Sequence, residues 1–158
     1  MIKMNKILII GMALLAFLLT EAFCLADSKE NGPTGGYVAY KNGIVKDNNT
    51  GLEWLVGPDH DTTWEEAKTW VESLNGSKGW RLPKIVEVEG LYKEGLGERN
   101  MTPLLKMSGW WVWSKDFKKS SEYNLAWNFS FFFGNGRWNC PREAADRRAF
   151  AVRSARNQ

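Results

Sequence analysis

The sequence predicts an α+β fold in which an antiparallel sheet packs with two helices. Three observations support this prediction. Short strand-like segments separated by turns rich in Asn and Gly occupy residues 37–55. Two segments with apolar residues at helical spacing follow, and the chain beyond residue 110 has the aromatic runs and the alternation of strands. Strands on both sides of a helical segment are typical of an antiparallel sheet and not of a wound parallel one.

The chain before this domain has the features of an export signal. Residues 1–26 combine two Lys, an apolar run over 7–19 and a small-residue cleavage site. The run is shorter than the ~20 residues that a membrane-spanning helix needs. We therefore expect cleavage after Ala26, an extracytoplasmic (periplasmic or secreted) location and no membrane span in the remaining chain. Residues 27–36 are polar and contain Gly and Pro, which predicts a flexible leader, and 37–158 are predicted to form one domain.

Composition limits the partners and the source of stability. The full chain has 21 Lys and Arg against 18 Asp and Glu, and the signal contains two of the former and one of the latter. The exported chain is therefore close to neutral and does not call for nucleic acid or an anionic membrane as a partner. Nine Trp, eight Phe and four Tyr predict a core rich in aromatic side chains.

A single cysteine, Cys140, follows the signal peptide. An intrachain disulfide is therefore excluded after cleavage, although the compartment would permit one. Cys140 lies at the end of a predicted strand, before Pro141 and a charged segment, which favours partial exposure. This position leaves open a homo-oligomer linked through Cys140.

The first strands are predicted at 37–40, 44–46 and 52–55. The first helix begins at Thr63, which forms a capping box with Glu66 three residues later. Its apolar residues then fall on one face at helical spacing: Trp64, Ala67, Trp70, Val71 and Leu74.

Further elements follow from the same signals. Asn75-Gly76 is predicted to end the first helix, and a second helix is predicted to start near Pro83 and to end before Gly95. Its predicted buried residues are Ile85, Val88, Leu91 and Tyr92. Four later strands are predicted at 110–114, 125–133, 137–140 and 149–156, with Gly134-Asn135-Gly136 as a turn.

Residues suited to metal binding or catalysis are scarce. His60 is the only histidine, and one His with one distant Cys does not assemble a zinc site. The segment from Asp47 begins like a calcium loop, but Gly51 and Pro58 occupy its fifth and twelfth positions, where oxygen ligands are needed. The chain has no Gly-x-Ser-x-Gly elbow and no phosphate-binding loop. We therefore predict no catalytic residues, no metal and no cofactor.

The later strands contain the best candidates for ligand binding. A flat aromatic ring beside amides and Arg is suited to sugar or peptide recognition, because the ring packs on C–H surface and the polar groups fix orientation. A second core or a subunit contact explains the same aromatic residues equally well. The predicted ligand-binding residues are Trp110, Trp111, Asn128, Arg137 and Asn139.

Five ordered motifs resemble the C-terminal domain of bacterial collagen-like adhesins, the Lcl C-terminal domain family. They are residues 43–54, 64–67, 79–83, 113–114 and 151–153. The resemblance covers about residues 37–156 and implies a C-type-lectin-like fold, an extracytoplasmic setting and, for the adhesins, binding to host polysaccharides. The chain lacks the collagen-like repeat, and it lacks the Glu-Pro-Asn or Gln-Pro-Asp tripeptide of calcium-dependent sugar sites.

The motif residues are interpreted as scaffold, because Trp80 and Leu82 are suited to filling the core and Arg81 to binding carbonyls or a carboxylate. The full scaffold set is Trp54, Trp80, Arg81, Leu82, Pro83, Trp113 and Arg153.

The predicted function is an exported, non-catalytic binding module for a glycan or a protein at the cell envelope or outside the cell. A structural or assembly subunit of the envelope is the main alternative. A relative of the lectin-like oxidases that form formylglycine is less favoured, since those enzymes depend on reactive cysteines and only Cys140 remains after cleavage.

Overall fold

The computed structural model describes residues 34–74 and 79–155. The predicted signal peptide, most of the predicted leader and the Asn75-Gly76 helix stop lie outside the described residues. The last three leader residues, 34–36, form a turn that is bonded to the domain. Asn48 N donates to Gly36 O (3.2 Å) and Asn49 Nδ2 donates to Gly35 O (3.0 Å).

The α+β class is confirmed. Within the described residues there are eight strands and two helices. In chain order they are β1 (Tyr37–Ala39), β2 (Val45–Asp47), β3 (Leu52–Val56), α1 (Trp64–Ser73), α2 (Ile85–Glu89), β4 (Trp111–Lys119), β5 (Asn124–Ser130), β6 (Asn135–Asn139), β7 (Arg147–Arg148) and β8 (Phe150–Ser154). Neither helix is long and apolar enough to cross a membrane within the part of the chain that the structure describes.

The strands form two sheets, whereas the sequence predicted one antiparallel sheet. Sheet A has the order β1-β2-β3-β8 and is antiparallel, and sheet B has the order β6-β5-β4-β7. In sheet B only the β4–β7 pair is parallel. The split has a topological cause. Strand β8 returns to pair with β3, far back in the sequence, while β4, β5 and β6 pair with their own neighbours as hairpins.

The main core lies between the two sheets. Trp54 and Val152 of sheet A and Trp127 and Phe129 of sheet B belong to one buried cluster, and each is at most 6% exposed. A second cluster forms where α1 packs, and it contains Trp64, Ala67, Trp113, Ala126 and Ala151. Since Val112 belongs to the first cluster and Trp113 to the second, both faces of sheet B are covered where β4 begins.

The prediction for α1 is confirmed, and that for α2 was too long. Thr63 Oγ1 accepts from Glu66 N (3.3 Å), and Thr63 N donates to Glu66 Oε2 (2.8 Å), which is the capping box. Helix α2 has only five residues and begins after Lys84, so Pro83 precedes the helix instead of starting it. Gly90 is its C-cap, which explains why a glycine occurs within the predicted segment.

The hairpin between β5 and β6 turns earlier than predicted. Strand β5 ends at Ser130, and Gly134 N donates to Ser130 O (2.9 Å), so residues 131–134 form the turn. Asn135 and Gly136 belong to β6 and not to the turn. The indole of Trp127 occupies the space where a Cβ of Gly136 would lie, so this glycine makes room for a core side chain.

Candidate functional site

Four of the five predicted ligand-binding residues share one face of sheet B. Trp113 pairs with Asn128, and Asn128 pairs with Arg137, so these side chains point to the same side. Trp111 and Asn139 lie two residues from Trp113 and Arg137, respectively, and therefore point the same way. Trp110 precedes Trp111 by one residue and packs against the first core cluster, away from the others.

Trp111 is buried, with 8% of its surface exposed, so it does not present the open aromatic face that the prediction assumed. The guanidinium of Arg137 lies over its ring, with Cζ 4.4 Å from the centroid, and that of Arg147 lies 5.7 Å away. Arg137 is exposed, whereas Arg147 is only 5% exposed. Burial, opposed by Glu143 and reinforced by the charge of Arg137, holds the pKa of Arg147 below its ordinary value.

The expected exposure of Asn128 is wrong, because this residue is fully buried, on the face of sheet B that contains Trp113 of the second core cluster. Its Oδ1 accepts from Asn139 Nδ2 (2.9 Å), and its Nδ2 has no hydrogen-bond partner among the described residues. Asn139 is half-buried and lies at the outer side of the pair. Asn128 therefore presents no surface to solvent, and its Oδ1 orients the amide of Asn139.

Two phenylalanines that the sequence analysis did not select lie at the tip of the β5–β6 hairpin. Phe132 is 59% exposed and Phe133 is 63% exposed, and their rings pack edge to face at 4.9 Å. Phe132 contacts Trp110 (5.2 Å between centroids), and Phe133 is 6.3 Å from Trp111. The sequence contained a signal for this exposure, because the side chains of three consecutive Phe before Gly134 cannot all point into one core.

Trp110 is half-buried on the other side of this tip. The guanidinium of Arg99 stacks on its indole, with Cζ 4.1 Å from the ring centroid. Trp110 contacts Phe132 and Arg99 and lies on the face of β4 opposite to that of Trp111. The predicted ligand-binding residues are thus divided between the two faces of sheet B, as the two-residue period of a strand requires.

The scaffold residues join the motif at residues 79–83 to the motif at residues 151–153. Arg81 N donates to Val152 O (3.1 Å), and Val152 N donates to Arg81 O (2.9 Å), which joins residues 79–83 to β8. Arg153 Cζ lies 4.4 Å from the ring centroid of Trp80, and Arg153 also binds Glu53 Oε2 (2.6 Å). Trp54, Trp80, Leu82, Pro83 and Trp113 are buried.

Arg81 binds a carboxylate, as the sequence suggested, but it is not deeply buried. Its Nη1 and Nη2 donate to the two oxygens of Glu87 (both 2.7 Å), and Nη1 also donates to Leu82 O (3.2 Å). The side chain of Arg81 is 35% exposed. Burial opposes the ionisation of Glu87, but hydrogen bonds from Arg81 and from Lys84 N outweigh it, so the pKa of Glu87 lies below its ordinary value.

We expect Arg81→Ala to destabilise the domain by about 1–2 kcal/mol. The two charge-assisted hydrogen bonds to Glu87 are lost, but partial exposure of both groups lets water replace some of their energy. Urea unfolding measures this cost, and Lys115→Ala, at an exposed position, is the control. A variant that unfolds with the parent would show that the Arg81–Glu87 pair does not stabilise the fold.

The loop around His60 is more than a solvated turn. Arg148, which is 6% exposed, donates from Nε to Asp59 Oδ1 (2.7 Å), from Nη1 to Asp61 Oδ1 (3.0 Å) and from Nη2 to Ser108 Oγ (2.7 Å). Hydrogen bonds from Ser108 and then from Arg148 lower the pKa of Asp59, and hydrogen bonds from Arg148 and from Asp146 N lower that of Asp61. The cluster joins three segments that are remote in sequence.

Asp47, where the sequence begins like a calcium loop, is 4% exposed and bonded to its own turn. Its Oδ1 accepts from Asn49 N (2.8 Å) and its Oδ2 accepts from Thr50 Oγ1 (2.6 Å). Burial and then the charge of Asp47 raise the pKa of Tyr37 to about 12. The Asp47 carboxylate therefore stabilises the β2–β3 turn, as side chains of Asp commonly do.

Cys140 is exposed and unpaired within the described residues. We expect its thiol to react with a maleimide reagent in the native protein, and non-reducing electrophoresis of the exported protein to show a dimer band that disappears with reductant. A thiol that reacts only after denaturation would contradict the exposed position. Cys140→Ser is the control for both measurements.

The comparisons with known proteins agree with the motif pattern. No curated protein matches the chain. The family model described as the Lcl C-terminal domain matches residues 43–154, which include all five motifs and all of the strands from β2 to β8. The chain therefore belongs to the Lcl C-terminal domain family.

Proposed function

We propose that this domain is a non-catalytic module that works outside the cytoplasm and binds a glycan through one surface of sheet B. This aromatic–arginine surface consists of Trp111, Phe132, Phe133, Arg137 and Asn139. A protein ligand is the alternative that the same experiment separates. Membership of the Lcl C-terminal domain family, whose collagen-like members are adhesins, and the export signal predicted from the sequence support the location.

The observation that carries the proposal is the exposed Phe132–Phe133 pair, which packs on two tryptophans, one of which, Trp111, also stacks with Arg137. Exposed apolar rings at a hairpin tip are costly in water unless they contact a partner. Arg137 is exposed and stacked on Trp111, so its guanidinium is held in place while its N–H groups are available. Aromatic faces for sugar C–H groups and fixed polar donors for hydroxyls are the usual elements of a glycan site.

The carboxyl groups whose pKa values are lowered have structural partners. The carboxyl groups with lowered pKa values are Asp59, Asp61, Glu66 and Glu87, and each is bound to an Arg or to a helix cap. Lowered pKa values keep these four groups ionised near neutral pH, so none of them is suited to act as a general acid there. Their positions also explain the lowered values as consequences of folding, without a catalytic function.

A glycan array and a protein pull-down with the exported protein test the proposal. We expect saturable glycan binding that falls at least about tenfold in Phe133→Ser and in Arg137→Gln, because both side chains are exposed and their loss leaves the core unchanged. Tyr123→Ser, which removes a ring that is 57% exposed at the other hairpin of sheet B, is the matched control and should bind normally.

Two outcomes would contradict the proposal. Binding to no glycan, or glycan binding that both variants retain, would remove the aromatic–arginine surface as a glycan site. Specific capture of a protein that depends on Phe133 and Arg137 would favour the protein alternative. Trp111→Ala is a poor first test, since Trp111 is buried and its loss also disturbs packing.

A further inference from the structure

A cleft lies under the segment that connects α2 to β4. Its volume is about 670 Å³, within the range of roughly 300–1,000 Å³ that is usual for sites of small molecules. The segment from Gly97 to Ser108 supplies nearly all of the lining, with Asp59 from the opposite loop. Arg99, one of the lining residues, stacks on Trp110 and so lies apart from the face that contains Trp111 and Arg137.

The inner part of the cleft is apolar. Met101, Leu105 and Met107 form its floor, and because each is at most 7% exposed, only a small part of these side chains is accessible from the cleft. Pro103, which is exposed, supplies further apolar surface. Thioether side chains are polarizable and adapt to the shape of an apolar ligand. This lining therefore suits the apolar body of a small molecule, and it offers little to a polyhydroxylated one.

Arg99 adds a positive charge that no carboxylate among the described residues neutralises. Its Nη2 donates to Ser108 O (2.8 Å), and this is its one hydrogen bond within the described residues. Its Nε is buried and likewise has no partner in the part of the chain that the structure describes. The stacked Trp110 fixes the guanidinium plane, so the remaining Nη1 and Nη2 hydrogens form a preorganised fork.

The other charged residues of the lining do not cancel this charge. Asp59 is already bound to Arg148 (2.7 Å) and to Ser108. Glu98 and Lys106 are both exposed, have opposite charges and belong to no ion pair within the described residues. The unmatched donors of Arg99 beside an apolar surface therefore favour a ligand with one anionic end.

We propose that this cleft binds a small monocarboxylate with an apolar body, such as a medium-chain fatty acid. Its carboxylate accepts hydrogen bonds from Arg99, and its chain lies on the apolar floor of the cleft, beside Pro103. The planar carboxylate matches the guanidinium fork, which explains the preference for an acid over an alcohol of the same length. This site shares no residue with the aromatic–arginine surface, although Trp110, on which Arg99 stacks, contacts Phe132 of that surface. The proposal does not depend on the glycan proposal.

Decanoate is the probe, used below the concentration at which it forms micelles, with decanol and decyltrimethylammonium as matched ligands. The protein is produced with its own signal sequence, and calorimetry measures binding. We expect one saturable site for decanoate and at least about tenfold weaker binding of the other two ligands. Equal binding of decanoate and decanol by the unchanged protein would overturn the proposal without any variant.

Variants then test the role of Arg99. We expect Arg99→Gln to weaken decanoate binding at least about tenfold and Arg99→Lys to weaken it less, because Lys keeps the charge and loses the fork. Arg142→Gln, which removes an exposed arginine outside the cleft, should bind decanoate normally. Thermal unfolding shows whether each variant is folded, and a folded Arg99→Gln that binds like the parent would overturn the role of Arg99.

The methionines show directly whether decanoate binds in the cleft. The chain has five Met, and Met101 and Met107 are the two that follow residue 26. After signal cleavage, both methyl signals of a Met-labelled sample therefore report on the cleft. We expect decanoate to shift these signals, and binding that leaves both unchanged would show that the ligand lies elsewhere. Phe133→Ser should leave decanoate binding and these shifts unchanged. Failure of the cleft proposal is therefore distinguishable from failure of the glycan proposal.

Discussion

Gly136→Ala is expected to destabilise the domain by about 3 kcal/mol. A Cβ at this position would overlap the indole of Trp127, which is 6% exposed in the main core. The backbone at Gly136 is not in the left-handed region, so the cost comes from lost space and not from backbone strain. Overpacking forces a fixed core side chain from its rotamer, and such changes cost about 1–3 kcal/mol or more. Urea unfolding with an unchanged m-value measures the effect.

A second variant shows whether the cause is the contact with Trp127. Trp127→Phe makes room beside β6, so the double variant Gly136→Ala with Trp127→Phe should lose less stability than the sum of the two single changes. Asn135→Ala, at an exposed position on the same strand, should be close to neutral. Strictly additive losses would indicate that the added methyl group does not meet the indole.

Arg148→Ala is expected to destabilise the domain by about 3 kcal/mol. Arg148 is nearly buried and binds Asp59, Asp61 and Ser108, so its loss removes three side-chain hydrogen bonds at once. Hydrogen bonds to charged groups contribute about 1.5–3 kcal/mol each, and the exposure of both aspartates reduces the sum because water replaces part of it. Thermal or urea unfolding measures the loss, with the exposed Arg142→Ala as the control.

The same cluster predicts an acid dependence. The pKa values of Asp59 and Asp61 lie below the ordinary value of 3.8, so the unfolded chain takes up protons on these groups before the folded chain does. Their stabilisation is present above about pH 4 and is lost as the pH falls through the folded pKa values. Because Arg148 contributes to both shifts, Arg148→Ala should lose less additional stability than the parent between pH 5 and pH 3. An equal loss in both proteins would contradict this assignment.

Part of the candidate site was predictable from the sequence because strand geometry is local. The two-residue period separates Trp110 from Trp111, and Arg137 and Asn139 share a face for the same reason. The period does not show which faces are covered. Asn128 is buried on the face of sheet B that contains Trp113 of the second core cluster. Contacts of α1 with β4 on this sheet join residues about fifty positions apart, as in the bond from Trp64 Nε1 to Ser114 O (2.8 Å).

The sequence analysis did not predict the exposed Phe132 and Phe133 at the tip of the β5–β6 hairpin, for a related reason. Alternation of aromatic residues predicted a strand through Phe133, but the turn begins after Ser130 and places Phe132 and Phe133 in solvent. The position of the turn is set by Gly136, which must lie in β6 so that Trp127 can occupy the space beside it. A contact between strands therefore decided where the hairpin turns, although Gly134-Asn135-Gly136 contained suitable residues.

The sequence by itself determined the α+β class, the position of α1 and the family signature, because caps, turns and apolar periods depend on residues close together in the chain. The tertiary structure decided the rest. The division into two sheets, the burial of Asn128 and the cluster of Arg148 with Asp59 and Asp61 depend on pairs separated by up to 100 residues, as Arg153 and Glu53 are. Such pairs leave no local pattern, since their energies arise only when packing brings the segments together and removes water from between them.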